Sequence, residues 1–244
     1  MAERRAGGAT GLLAGALRYA LSVCALVKPA ELAAPTPCAE WDIRALLWHL
    51  ADSVADLEAG LRTGYLDDAR PDEQAAARQR RQARVRDDAD ANPSGPSGPL
   101  EAVRDRAAGL LWACYRGGPA DRFVVVGGLP LPAGIVACTG AVEITVHGWD
   151  VSAALGRGGA NPPGLATRLL ALCPLLAAGR EGLFAPAVPI SPQASPGDRL
   201  LGYLGRDPGA PPWARPGSFR PGNRGQARTG TGQPGNWSRR LAVP

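Results

Sequence analysis

Trp41-Asp-Ile-Arg-Ala-Leu46-Leu-Trp-His49-Leu50-Ala-Asp-Ser-Val54-Ala-Asp-Leu57-Glu-Ala-Gly-Leu61 is the stretch whose reading decides the fold. Leu46, Leu50, Val54, Leu57 and Leu61 recur at three- and four-residue spacing, which lines one face of a helix over about residues 43–63. Asp42 stands where an N-cap is wanted, and Trp41 can staple against Leu46 across the first turn. His49 lies at the edge of that apolar stripe.

The same periodicity extends in both directions. Leu13, Leu17, Ala20, Cys24 and Val27 mark a first amphipathic helix over roughly 8–29, stopped by Lys28-Pro29. A third helix is expected at about 100–117, with Val103, Leu110, Leu111 and Cys114 inside and Gly117-Gly118-Pro119 as its stop. A fourth covers about 134–155 and ends at Gly156; a fifth covers about 163–183. Arg122-Phe-Val-Val-Val126 followed by Gly127-Gly128 predicts a small hairpin. Ser195-Pro-Gly-Asp198 supplies an N-cap, a proline at the first helical position and an early acid, opening a short helix through Leu204. Between the second and third helices periodicity disappears. Residues 64–99 read as a flexible loop insertion, with an arginine cluster (Arg78, Arg80, Arg81, Arg84, Arg86), then Asp87, Asp88 and Asp90, then a Pro/Ser/Gly run.

Composition narrows the class. The 244 residues are 45% hydrophobic and 20% charged, enough for a sizeable core. The net charge of +5 comes from residues 209–244, which hold six arginines and no acid, so residues 1–208 are close to neutral. The folded part thus has no basic footprint for nucleic acid, and the Gly/Pro/Arg-rich tail reads as disordered. The arginine cluster at 78–86 reads as a solvated face balanced by the acids after it. Five cysteines, widely spaced and never as Cys-x-x-Cys, read as buried free thiols in a reducing compartment. The apolar run from Leu12 to Val27 is interrupted by Arg18 and fits an amphipathic helix better than a signal peptide; no stretch reaches the ~18 apolar residues of a membrane span. The chain is therefore read as cytoplasmic, as a monomer or a homodimer.

The chemistry concentrates in the two histidines of the chain. His147 follows Glu143 by four residues in Glu143-Ile-Thr-Val-His147-Gly-Trp-Asp150, so both point at one place on a helix. A lone helical histidine is usually a packed or surface residue, and a lone Glu-x-x-x-His pair is a weak signal. Both histidines, however, sit among apolar neighbours, where an imidazole and a carboxylate are costly without a shared partner. A divalent cation is such a partner. His49, Glu143 and His147 would leave one coordination position open, the ligand count of a catalytic metal. The donor set suits Zn²⁺ and equally Ni²⁺ or Fe²⁺. Asp150 can fix the tautomer of His147 from behind, or simply be a helix-terminal acid. Cys38 reads as a packing cysteine; with Asp52 it is the first place to look for a fourth, structural ligand.

Pro35-Thr-Pro-Cys38-Ala-Glu-Trp41-Asp-Ile-Arg-Ala-Leu-Leu-Trp-His49-Leu resembles the PTPC-x-x-W-x-[VI]-R-x-L-x-x-H-[LM] signature of actinobacterial proteins related to the mycothiol-dependent maleylpyruvate isomerase metal-binding domain, within the DinB/YfiT-like superfamily. Glu143-Ile-Thr-Val-His147-Gly-Trp-Asp150-Val resembles that family's E-x-x-x-H-x-W-D-[LV] helix. Phe184-Ala-Pro-Ala-Val-Pro with Ser195-Pro-Gly-Asp198-Arg-Leu-Leu-Gly-Tyr-Leu-Gly-Arg-Asp-Pro208 is similar to the close of a stand-alone subfamily. The resemblance covers about residues 8–208. It implies an all-α, up-down-up-down four-helix bundle with a small β-hairpin and an extra C-terminal helix, and a divalent-metal site at His49, Glu143 and His147 between the second and fourth helices. It also implies mycothiol as a low-molecular-weight thiol cosubstrate, bound as thiolate, and a small electrophilic substrate. The isomerase's second domain resembles nothing in the 209–244 tail, which points to a broader thiol S-transferase or isomerase role. A non-enzymatic metalloprotein, with a structural or sensing ion, is the rival reading. A nucleic-acid-binding regulator rests on the tail alone.

Overall fold

The computed structural model describes residues 8–38, 41–66, 98–115, 122–157, 161–176 and 185–210. Four helices form the bundle: α1 (Ala9–Cys24), α2 (Ile43–Thr63), α3 (Pro99–Tyr115) and α4 (Ala133–Ala154). Strands β1 (Tyr65–Leu66), β2 (Phe123–Val126) and β3 (Leu129–Pro132) make one small sheet; α5 (Pro163–Leu176) and α6 (Pro196–Tyr203) follow the bundle.

The helix starts and stops have local causes. The Asp42 carboxylate accepts the Ala45 N–H at 2.8 Å, as an N-cap should, and Gly64 ends α2 at φ +80°, the left-handed conformation that favours glycine. α1 is shorter than its apolar spacing predicts. Pro29 disfavours helical geometry at Lys28, which is extended, and the last turn tightens through Leu26 N–H to the Val23 carbonyl and Val27 N–H to the Cys24 carbonyl. The expected stop of α3 at 117–119, the extension of α5 to 183, most of the 64–99 insertion and nearly all of the 209–244 tail lie outside the described residues.

Packing explains why α4 is so apolar. α1 packs against α4 and α3, and α2 packs against α3 and α4. Round the bundle the order is thus α1–α4–α2–α3, with α1 and α2 across one diagonal. Nearly every residue of α4 from Val136 to Val151 is buried, because α4 meets α1, α2 and α5. Two glycines allow the close approaches: a Cβ at Gly140 would lie 2.4 Å from Leu57 Cδ2, and one at Gly148 would lie 3.0 Å from Tyr19 Cε1. This order makes α2 and α4 neighbours, so residues from both can share one site.

The predicted hairpin forms, with Gly127 and Gly128 at φ +57° and +82° in its two-residue turn. The sheet has a third strand that the sequence reading assigned to loop. Gly64 turns the chain beside β2, its carbonyl accepts the Val125 N–H, and Tyr65–Leu66 then pairs parallel with Val125–Val126. None of the five cysteines, all among the described residues, forms a disulfide. Among the described residues no helix is long and apolar enough to cross a membrane.

Candidate metal centre

The phase of α2 carries His49 onto the buried face with Leu46, Leu50 and Ser53, and the phase of α4 carries Glu143, His147 and Asp150 onto one face. The α2–α4 contact brings the two sets together. His49 Nε2 lies 3.0 Å from Glu143 Oε1, and His147 Nε2 lies 3.2 Å from the same oxygen. The imidazoles stand edge to face, 89° apart with centroids 4.9 Å from each other. His49 is deeper than an edge position implies, at 7% exposed, beside Glu143 and His147 at 4% each. Trp41, expected as a staple on Leu46, holds its ring 4.6 Å from His49 and 6.4 Å from His147. It forms a wall of the site.

His147 is gripped from its other side. Its Nδ1–H donates to Asp150 Oδ2 at 2.9 Å, so Nε2 is the nitrogen that faces Glu143. Burial works against a charged imidazole here. The hydrogen bond and charge of Asp150, with the contact to Cys38, outweigh it and push His147 up to about 9. Without a cation, the charged form of the ring is favoured, with its Nδ1 proton held by Asp150. Asp150 is wholly buried, yet its carboxyl stays well below the usual carboxylate range; burial opposes this, and the Arg206 guanidinium and His147 reverse it.

The sequence reading missed Arg206. Its Nη2 donates to Asp150 Oδ2 at 2.9 Å and its Nε donates to Asp150 Oδ1 at 3.3 Å. Cys38 belongs to the same cluster, its thiol donating to Asp150 Oδ2 at 3.3 Å. Thr36 sets the Cys38 turn by accepting the Cys38 N–H at 3.1 Å and donating to the Trp41 carbonyl at 2.8 Å. Arg206 stands more than 50 residues from its carboxylate in the chain, so no periodic pattern links them; its only signal is its place in the Gly-Arg-Asp-Pro208 close. Asp52 is not brought to the site: it accepts from Arg106 Nη1 at 2.7 Å on the α3 side.

The donor set fits a divalent ion. About a tetrahedral Zn²⁺ with bonds of roughly 2.0–2.1 Å, neighbouring donors lie about 3.3 Å apart. Here they lie 3.0 and 3.2 Å apart, and all three donor atoms fall within 4.8 Å of one another. Among the described residues this group has three members of His, Cys, Asp or Glu type, and Ser53 Oγ lies 3.5 Å from His49 Nε2.

Residues 13–152 match the model of the mycothiol maleylpyruvate isomerase N-terminal domain. The chain belongs to that family. An uncharacterized protein of Mycobacterium tuberculosis, recorded in strains CDC 1551 / Oshkosh and H37Rv, is 26% identical over 189 residues, 76% of this chain and 90% of that protein. Among solved structures, the crystal structure of the mycothiol-dependent maleylpyruvate isomerase is similar at 18% identity with a TM-score of 0.48, covering 74% of this chain and 73% of that one.

Proposed function

We propose that the chain binds one divalent cation through His49 Nε2, His147 Nε2 and Glu143 Oε1, and uses it with mycothiol in S-transfer to, or isomerisation of, a small electrophile. The observation that carries this reading is the convergence of three buried donors, one of them oriented from behind by Asp150. Buried imidazoles and a carboxylate so close together are a standing cost unless a cation or protons balance them. Membership of a family described by mycothiol supplies the thiol. A divalent cation, when bound, lowers the pKa of a coordinated thiol, so that a nucleophilic thiolate is populated at neutral pH. The residues of the chain do the rest. His49 and Glu143 hold their donors across the α2–α4 contact, Asp150 keeps the His147 Nδ1 proton in place, and Trp41 walls the imidazoles. With three donors from protein, a position is left for the thiol.

One observation favours a second reading. All three donors are nearly closed off from solvent, which suits an ion that ties α2 to α4 in a non-enzymatic metalloprotein. Cobalt-loaded protein titrated with mycothiol separates the two. The thiol-using reading expects intense thiolate-to-cobalt absorption that saturates and is absent in His49→Gln. A spectrum unchanged by mycothiol, together with unfolding on metal removal, would sink it in favour of the structural ion. Zinc, nickel and iron are distinguished by metal analysis of the protein as purified.

A further inference from the structure

Asp150 is where three separate parts of the chain meet. His147 reaches it from α4, Cys38 from the connector before α2, and Arg206 from the segment after α6. The Arg206 contact is two-point, Nη2 to Oδ2 and Nε to Oδ1. A terminal carboxylate torsion is soft and roughly two-fold, so a single hydrogen bond leaves its plane poorly fixed. A planar guanidinium holding both oxygens fixes that plane. It thereby fixes the direction in which Oδ2 meets the Nδ1–H of His147.

The guanidinium is itself presented by a well-determined turn. Arg206 N–H donates to the Leu201 carbonyl at 2.9 Å and its Nη1 donates to the Leu204 carbonyl at 3.3 Å. Gly205 before it has φ +80°, and a Cβ there would lie 2.6 Å from the Ala185 carbonyl oxygen, so only glycine suits this corner. The Val188 N–H donates to the Gly202 carbonyl at 2.9 Å, tying the incoming strand of residues to α6. The segment 185–207 is thus a folded clip whose one charged tip enters the cluster behind His147.

We propose that Arg206 is a positioning residue for the metal centre, acting through Asp150 on His147, and that docking of the 185–207 clip is thermodynamically coupled to cation binding. The inference rests on the proposed metal reading. A partner that orients a ligating histidine from behind is worth roughly 10- to 100-fold in metal affinity, and Arg206, one contact further away, sets the orientation of that partner. Coupling is reciprocal: if the docked clip tightens cation binding, the cation must tighten the docked clip by the same factor.

The test is a double-mutant cycle on the full chain, reading zinc affinity by competition with a chromophoric chelator. Arg206→Met is expected to weaken zinc binding about 10-fold, with Arg206→Lys between it and the wild type. Asp150→Asn weakens it similarly, and Arg206→Met added to Asp150→Asn costs less than about 2-fold more. Equal zinc affinity in wild type and Arg206→Met overturns the proposal, as does a full 10-fold loss in the Asp150→Asn background. A readout on the unaltered chain covers variants that fail to fold: zinc should slow amide exchange in residues 196–206, and unchanged exchange overturns the coupling. If wild type and His49→Gln bind zinc equally weakly, the metal reading itself falls. That result differs from tight zinc binding that ignores Arg206, which removes only this inference.

Discussion

Two donor groups meet in this protein and share one histidine. His49, Glu143 and His147 place their ligand atoms within 4.8 Å of one another, and so do Cys38, His147 and Asp150. On distance alone either could hold an ion. They differ in what stands beside them. The second group already carries a fixed cation, because the Arg206 guanidinium lies 2.9 Å from Asp150 Oδ2 and 3.7 Å from Cys38 Sγ. Two unit positive charges about 4 Å apart repel by on the order of 4 kcal/mol at the effective dielectric of a protein site, and a divalent ion doubles this. In the first group, two imidazoles converge on one carboxylate oxygen instead. The contrast teaches that charge balance, more than spacing, separates a candidate metal site from a buried ion-pair network. His147 joins them, with one nitrogen turned to each.

The largest effect should come from breaking the first group. On the proposed metal reading, Glu143→Gln keeps the shape and removes the carboxylate on which both imidazoles converge, so the zinc content of the purified protein should fall to background by metal analysis. Retention of the zinc would show that the first group is not the metal site. Next in size is the removal of the anchor of the second group. Asp150→Ala leaves the Arg206 guanidinium, with a side chain only 16% exposed, without its carboxylate. Breaking a buried pair from one side costs about 3–5 kcal/mol, which urea denaturation of the metal-free chain can read. A loss under 1 kcal/mol would mean that the carboxylate anchors nothing.

The first group was legible in the sequence and much of the second was not, for physical reasons. Glu143 and His147 are one helical turn apart, and helical phase alone predicts that they share a face. The helices and the hairpin were legible the same way, from apolar period and a Gly-Gly turn, while their assembly as a bundle was what the family resemblance implied. That His49 meets that face depends on the order α1–α4–α2–α3, which amphipathic patterns do not encode; the family motifs carried that step. Arg206 and Asp150 are joined by no period, and the pairing of Tyr65–Leu66 with β2 is likewise non-local, too short to leave a pattern. Trp41 was read by its position before an N-cap, where stapling is the usual role. The structure turns it onto the imidazoles.

The pH dependence probes the shared residue. In the metal-free protein His147 is pushed up to about 9, above the ~6.5 of an unfolded histidine, so the folded chain holds that proton more tightly. The associated stability is fully present below about pH 6.5 and is lost as pH rises through about 9, on the order of 3 kcal/mol. Thermal or urea unfolding of metal-free protein between pH 6 and 10 should show this decline. Zinc-loaded protein should lack it, because an ion on Nε2 replaces the proton and metal binding releases it. Parallel curves with and without zinc would place the ion away from His147.

The smallest effect is expected at Cys38, and it is the sharpest discriminator between the two groups. Cys38 is half-buried and offers Asp150 one S–H donor at 3.3 Å, a weak bond beside the Arg206 fork. Serine keeps a donor at nearly the same place. Cys38→Ser should therefore shift unfolding free energy by less than about 1 kcal/mol and leave zinc content unchanged. If zinc disappears from Cys38→Ser but survives in Glu143→Gln, the assignment reverses: the thiolate, His147 Nδ1 and Asp150 would then be the ligands, and Arg206 would have to leave Asp150 to admit the ion. The two variants, compared by metal analysis on the same preparation, decide which side of His147 faces a cation.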